Sequence, residues 1–283
     1  MSKKNIMEYA DHPIQVRVEN TNHCNAKCVI CPREKLSRPR GYMDMALFRS
    51  IVDQCVENDV KEMHLQGFGE PFLDKKIFER TAYAKKKGIE DTLIVTNASF
   101  INEDSARRII ESGLDRIKIS FYGTNAAEYE SIHRGLSYDE VARNTKRFVQ
   151  LKKELNSESP RISIKYIGHP LKFLKFTLQW SGYGRVSFSR LHNYGRGRKY
   201  NRPKKDKKVR YCPILLEDTM QVLWDGRVVP CCYDFDGYMI IGDLNHESIL
   251  DIWKGERYRN FRKIHSEHRF RELAICYNCD KLK

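Results

Sequence analysis

His-Cys-Asn-Ala-Lys-Cys-Val-Ile-Cys, residues 23–31, places three thiols, Cys24, Cys28 and Cys31, in a C-x3-C-x2-C spacing. It directly follows a run, 14–19, that reads as a β-strand. A loop of this spacing can wrap three corners of an iron–sulfur cube and leave the fourth iron open to a small molecule. Thiolates suit iron–sulfur clusters and zinc alike, so residue type does not choose the metal. Spacing favours the cluster, because structural zinc usually takes a fourth protein ligand and a tighter C-x2-C pair.

The surrounding chain of 283 residues is long enough for one large domain, or a medium domain plus a small one. Hydrophobic residues make up 41%, which supplies a core, and no apolar run approaches the roughly 18 residues of a membrane span. Met-Ser-Lys-Lys-Asn at the start has no apolar h-region behind it, so a secretory signal is not expected. Nine cysteines without an export signal point to reduced thiols in the cytoplasm, used for metal or catalysis. The net charge of +14 points to an anionic substrate or partner, nucleic acid by default, or to a solvated lysine-rich surface.

From residue 14 to about 190, short β-branched runs alternate with helical periods. Strands are expected at 14–19, 62–66, 91–96, 116–120, 161–167 and 185–190, and helices at 44–58, 75–87, 103–112, 138–155 and 171–180. Such repeats with short connections mean a parallel sheet, whose chemistry gathers at the carboxyl ends of its strands. The thiol loop lies on that edge. So does Gly67-Phe68-Gly69-Glu70-Pro71 after the second strand, where glycines admit a close ligand and Glu70 can hold a cationic amine. Ser120 ends the fourth strand, and Arg134 follows in a His-Arg-Gly turn.

Together these residues resemble the radical S-adenosylmethionine (SAM) superfamily, over roughly residues 12–190. The resemblance implies an α/β fold, a partial (β/α)6 TIM-like barrel. It implies that Cys24, Cys28 and Cys31 ligate a [4Fe–4S] cluster whose free iron is chelated by SAM. By the same resemblance the backbone of Gly67, Phe68, Gly69 and Glu70 meets the methionine amine, Ser120 the ribose and Arg134 the carboxylate. Two positions depart from the common pattern. Ile30 stands where an aromatic residue is frequent, making adenine packing aliphatic, and Phe68 splits the usual paired glycines.

Nine Lys/Arg and one Asp fall between residues 196 and 210, which read as a basic linker without apolar period. That linker divides the chain into 1–195, 196–210 and 211–283. It is a solvated linker, or it cradles phosphates or contacts RNA. Beyond it, 221–224 and 227–230 flank Asp225-Gly226, a hairpin signal that presents Cys231 at its far end. A helix is expected from 248 to about 260, before Cys276 and Cys279. Four thiols in two pairs can close a tetrahedral zinc or a fully ligated cluster.

This tail resembles the auxiliary-cluster region of SPASM and twitch radical SAM enzymes. The fit implies a small C-terminal β-hairpin-plus-helix twitch domain with a second [4Fe–4S] cluster on Cys212, Cys231, Cys276 and Cys279. Two cysteines remain. Cys55 falls on the apolar face of a helix and reads as core, and Cys232 is a spare thiol, a hydrogen-atom donor or the ligand in place of Cys231.

The layout is similar to twitch enzymes that oxidise a secondary alcohol in aminoglycoside biosynthesis. It therefore implies an oxidoreductase acting on a sugar or cyclitol, the substrate being a small molecule, anionic or nucleotide-linked, and the electron donor a flavodoxin or ferredoxin. Neither membrane nor nucleic acid is expected as partner. An epimerase with Cys232 as donor, and a zinc-stabilised RNA-binding module, are the alternatives. Substrate contacts are expected from 192–195 and the hairpin, with Asp234, Asp236, His169 and Lys165 as candidate proton acceptors.

Overall fold

The fold is drawn from a computed structural model that describes residues 9–195 and 211–283; the basic stretch 196–210 lies outside the described residues. Six strands carry the expected parallel order: β1 (Gln15–Val18), β2 (Glu62–Leu65), β3 (Asp91–Thr96), β4 (Arg116–Ser120), β5 (Arg161–Ile167) and β6 (Arg185–Ser189). Between them run α1 (Met45–Glu57), α2 (Ile77–Lys87), α3 (Glu103–Glu111), α4 (Ala126–Ile132), α5 (Tyr138–Glu154) and α6 (Phe173–Trp180).

Side-chain alternation separates two faces of this sheet. Val16 and Val18 on β1, Ile117 and Ile119 on β4, and Ile164 and Tyr166 on β5 are fully buried in one core with the helices. Their neighbours Arg17, Lys118 and Lys165 belong to the opposite face, the interior of the barrel. Helix α1 shows why the outer layer forms. Asp44 caps it by accepting from the Ala46 and Leu47 amides, and Phe48, Ile51, Val52 and Cys55 bury completely. Cys55 is a core residue, as its position implied.

The C-terminal region joins the same sheet. β7 (Thr219–Val222) pairs in parallel with β1, so Gln15 lies opposite Thr219 and Val18 opposite Val222. Then β8 (Arg227–Val229) and β9 (Gly242–Asp243) follow, antiparallel, to give the order β6-β5-β4-β3-β2-β1-β7-β8-β9. The hairpin forms with its strands slightly displaced from expectation. Trp224 sits in the turn, its indole N–H donating to the Pro39 carbonyl at 3.1 Å, and Gly226 takes the left-handed position at φ +91.

Three expectations need correction. The helix at 248–260 is two helices, α7 (Ile249–Lys254) and α8 (Glu256–Ser266), because Gly255 is extended and a Cβ there would lie 2.6 Å from the Asp251 carbonyl oxygen. The segment at 171–180 opens with a 3-10 turn, Pro170–Lys172, before α6. Helix α4 was not foreseen. Its seven residues show too little apolar period, and the Asn125 side chain starts it by accepting from the Glu128 amide.

Candidate active site

The thiol loop is held from three sides. The Lys27 amide donates to the Arg134 carbonyl at 2.8 Å and the Val29 amide to Ile132 at 2.9 Å, tying the loop to the end of α4. The buried Arg33 guanidinium donates to the Ala26 carbonyl at 2.9 Å, and the Glu70 amide donates to the His23 carbonyl at 2.8 Å. Cys24, Cys28, Ile30 and Cys31 are all half-buried. Arg134 lends its carbonyl to the loop while its side chain is exposed.

Burial pushes the Cys24 thiol up to about 11. It drives Cys28 further up, with repulsion from Cys31 and Cys24 added. Three clustered thiols, two of them held protonated by burial in the absence of a cation, form a donor set suited to iron, which deprotonates its thiol ligands. His133, which sequence reasoning passed over, supports one of them. Its Nδ1 lies 3.2 Å from Cys28 Sγ, and its Nε2 accepts the Tyr122 amide at 3.3 Å. An amide only donates, so the proton sits on Nδ1 and points at the sulfur. Burial lowers His133 to about 3, keeping it neutral, and its ring stacks between Tyr122 and Tyr129.

The 67–71 loop lies against the thiol loop for a reason internal to the protein. A Cβ on Gly67 would lie 2.2 Å from Glu19 Cγ, and one on Gly69 2.3 Å from the Thr21 carbonyl oxygen. Both glycines therefore let this loop pack on the end of β1. The Glu70 carboxylate is buried and engaged within the protein: it accepts from Thr96 Oγ1 at 2.6 Å and from the Asn97 amide at 2.8 Å. Burial raises it to about 7. Glu19, also passed over, is the loop's anchor. Fully buried, it forms a two-pronged ion pair with Arg38 at 2.7 Å and 2.7 Å, and accepts from the Phe68 amide at 2.9 Å and the Trp224 amide at 3.3 Å.

The second thiol group is brought together by the fold. Cys212, Cys231, Cys276 and Cys279 line one small cavity of about 20 Å³, together with Tyr233 and His265. Among the described residues no three His, Cys, Asp or Glu side chains converge on a single metal position. Four thiols around one cavity are a donor set for a fully ligated cluster or a tetrahedral zinc. Cys232 does not line this cavity. Its thiol is lowered to about 7 by the hydrogen bond from Cys231 and by Arg17.

Aromatic rings fill the space between the two groups. Phe68 meets Tyr194 and Phe235 edge-on, and His192 packs on both Tyr194 and Tyr233. Tyr194 is pushed well above its ordinary value by burial, then by Cys31, Tyr122, Tyr233 and Cys232, and its ring meets Tyr233, which lines the four-thiol cavity. Ser120 lies opposite Lys165 across β4 and β5 and is hydrogen-bonded to Tyr122. Of the four candidate proton acceptors, three are engaged. Asp234 accepts from the Tyr238 and Met239 amides, Asp236 from Ser37 and Arg38, and His169 from Leu171. Lys165 has no such partner among the described residues.

An open, mainly parallel α/β sheet with a three-thiol loop after its first strand defines the class. The radical SAM superfamily pattern matches residues 18–159, half of the chain, and an iron-sulfur cluster-binding domain, SPASM, matches residues 212–280. The chain belongs to the radical SAM superfamily: it is a radical SAM enzyme whose cofactors are SAM and iron–sulfur clusters. It is 25% identical over 273 residues to the S-adenosyl-L-methionine-dependent 2-deoxy-scyllo-inosamine dehydrogenase of Niallia circulans, covering 94% of this chain and 92% of the relative. It is 22% identical to the tungsten-containing aldehyde ferredoxin oxidoreductase cofactor-modifying protein of Pyrococcus furiosus, covering 92% and 86%. The crystal structure of BtrN in complex with AdoMet and 2-DOIA shares the fold, with a TM-score of 0.68 at 22% identity over 94% of this chain and 92% of that one. No described helix is long and apolar enough to cross a membrane.

Proposed function

We propose that this enzyme oxidises a secondary alcohol of a sugar or cyclitol to a ketone. The observation that carries the reading is the placement of two thiol groups on one sheet, one after β1 and one beyond the hairpin strand bonded to β1, with aromatic side chains between them. Similarity over 94% of the chain to a dehydrogenase of an inosamine adds support. Cys24, Cys28 and Cys31 would hold the SAM-binding [4Fe–4S] cluster. The backbone of Gly67, Phe68, Gly69 and Glu70, with Ile30, Ser120 and Arg134, would line the SAM. Cys212, Cys231, Cys276 and Cys279 would hold the second cluster.

When bound, these groups supply a 5′-deoxyadenosyl radical that takes the carbinol hydrogen and an acceptor for the electron left behind. Net, the substrate loses a hydrogen atom, a proton and an electron. The chain's own part is to hold the carbinol between the two sites, with Phe68, Tyr194, His192 and Tyr233 excluding water. The first electron would come from a flavodoxin or ferredoxin in the cytoplasm, and an anionic or nucleotide-linked sugar falls within the substrate class.

A second reading, epimerisation, draws on Cys232, whose neighbours are Arg17 and Lys165 and which stands outside the four-thiol cavity. Anaerobic incubation of the reconstituted enzyme with SAM, reductant and a panel of polyols separates the two. Oxidation yields a ketone matched one-to-one by 5′-deoxyadenosine. Deuterium entering carbon from solvent, abolished by Cys232→Ala, would establish epimerisation instead. A colourless protein holding only zinc, in place of about eight iron and eight sulfide, would sink both.

A further inference from the structure

The barrel interior carries charge that its own residues do not balance. Arg17 on β1, Arg116 and Lys118 on β4 and Lys165 on β5 all stand on the inner face. Both arginines have carboxylate partners there: Arg17 meets Glu217 at 2.8 Å, and Arg116 meets Asp91 at 2.6 Å and Glu62 at 3.5 Å. Neither lysine has one among the described residues. His64, on the neighbouring wall, is held neutral by burial and by Arg17, Arg116 and Lys118.

The two ammonium groups repel each other and their surroundings. Lys165 is lowered to about 8 by burial, then by Lys118 and Lys281. Lys118 is lowered by burial, then by Arg116 and Arg17, with Glu217 opposing them in part. Two partly buried lysines on one inner face, neither ion-paired to a carboxylate among the described residues, favour a ligand that brings counter-charge, because the anions near them, Glu217 for Lys118 and Cys232 for Lys165, offset less than burial and the neighbouring cations impose. Their position says where that ligand sits. Lys165 lies opposite Ser120 in the β4–β5 register, and Cys232 is among its neighbours. The charge thus falls at the carboxyl end of β4 and β5, beside Ser120, Cys232 and Lys281, the last of which lines the four-thiol cavity.

We infer that the substrate carries a phosphoryl group, and that Lys118 and Lys165 bind it within the barrel. This rests on the proposed oxidation of a polyol and narrows it to a sugar phosphate, a phosphorylated cyclitol or a nucleotide-linked sugar. It also sets this chain apart from an enzyme for an inosamine, since an ammonium group brought between these lysines would be repelled. The competing explanation is that the lysines offset the negative charge of the four-thiolate cluster site nearby.

The test uses the iron-loaded enzyme with SAM, titrated anaerobically by calorimetry. The probes are inorganic pyrophosphate, myo-inositol 1-phosphate, UDP-glucose, myo-inositol and 2-deoxy-scyllo-inosamine. Phosphoryl probes should bind at least about tenfold tighter than myo-inositol, and the inosamine weakest. Lys118→Met and Lys165→Met should each erase about tenfold of the phosphoryl preference while leaving iron content and the cluster spectra unchanged. Stronger binding of UDP-glucose than of the monophosphate would identify the nucleotide-linked source, and the reverse the simple phosphate ester. Phosphoryl binding that is absent or indifferent to both substitutions overturns the inference, as does a shift in cluster potential without a change in anion binding. If phosphoryl polyols bind through the lysines yet yield no ketone, the charge inference stands and the oxidation reading falls. If a neutral or amine-bearing polyol is oxidised equally by wild type and both variants, the reverse holds.

Discussion

Replacing Arg38 by methionine should expose how much of the site hangs on one buried ion pair. Arg38 and Glu19 are 3% and 0% exposed, and two parallel bonds of 2.7 Å join them. Removing the guanidinium leaves the Glu19 carboxylate buried with, among the described residues, the Phe68 and Trp224 amides for partners. Breaking such a pair from one side costs about 3–5 kcal/mol, far above the roughly 0–1 kcal/mol of an exposed pair. A chain of 283 residues has an unfolding entropy near 0.6 kcal/mol/K, which converts that loss to a fall in Tm of about 5–8 °C. Differential scanning calorimetry of the iron-loaded protein at one fixed scan rate reads it directly. The double variant Glu19→Gln, Arg38→Met should recover part of the loss, because no unpaired charge remains and the amide oxygen still accepts from Phe68. SAM affinity should weaken in the single variant, since the Phe68 loop takes its position from Glu19. A fall of less than about 2 °C, the behaviour of a surface pair, with unchanged SAM affinity would refute the reasoning.

Two further outcomes follow from buried histidines. His133→Phe keeps the stack between Tyr122 and Tyr129 but deletes the N–H aimed at Cys28. That bond favours the more negative, reduced cluster. If the difference is about 1 kcal/mol, its loss lowers the midpoint potential by about 40 mV in a potentiometric titration followed by electron paramagnetic resonance, and an unmoved potential would contradict the assigned tautomer. His64 has a folded value of about 2, depressed by burial and by Arg17, Arg116 and Lys118. Its folded value lies below the unfolded one of about 6.5, so its contribution to stability is present above about pH 6.5 and is lost as pH falls below it. His64→Gln should flatten the acid limb of stability against pH by up to about 1.4 kcal/mol per unit between roughly pH 6 and pH 4. Denaturant unfolding at each pH tests it, and parallel curves would count against a neutral His64.

Local chemistry that repeats at short range was legible in the chain. The alternation that made strands of 116–120 and 161–167 is fixed by which face of each strand meets the helices. The three thiols within eight residues keep their proximity whatever the rest of the fold does. Helix α4 escaped notice because seven residues hold too few apolar positions to show a period. Gly255 looked harmless inside a helical stretch because the backbone that excludes its Cβ is set by the turn between α7 and α8.

The roles of Glu19, His133 and Lys118 were beyond reach for a different reason. Glu19 pairs with Arg38 and with a turn more than two hundred residues away, and His133 meets Cys28 across 105 positions. No pattern encodes such pairings, because they depend on how strands are ordered in space. The sequence alone determined the parallel sheet, the thiol loop on its carboxyl edge and the radical SAM resemblance, since each rests on neighbours along the chain. Tertiary structure decided that β7 docks beside β1, that Glu70 turns inward, and that Lys118 and Lys165 share the inner face with no carboxylate ion-paired to either among the described residues. Those are questions of register and burial, settled only when distant strands pack and the dielectric around each charge is fixed.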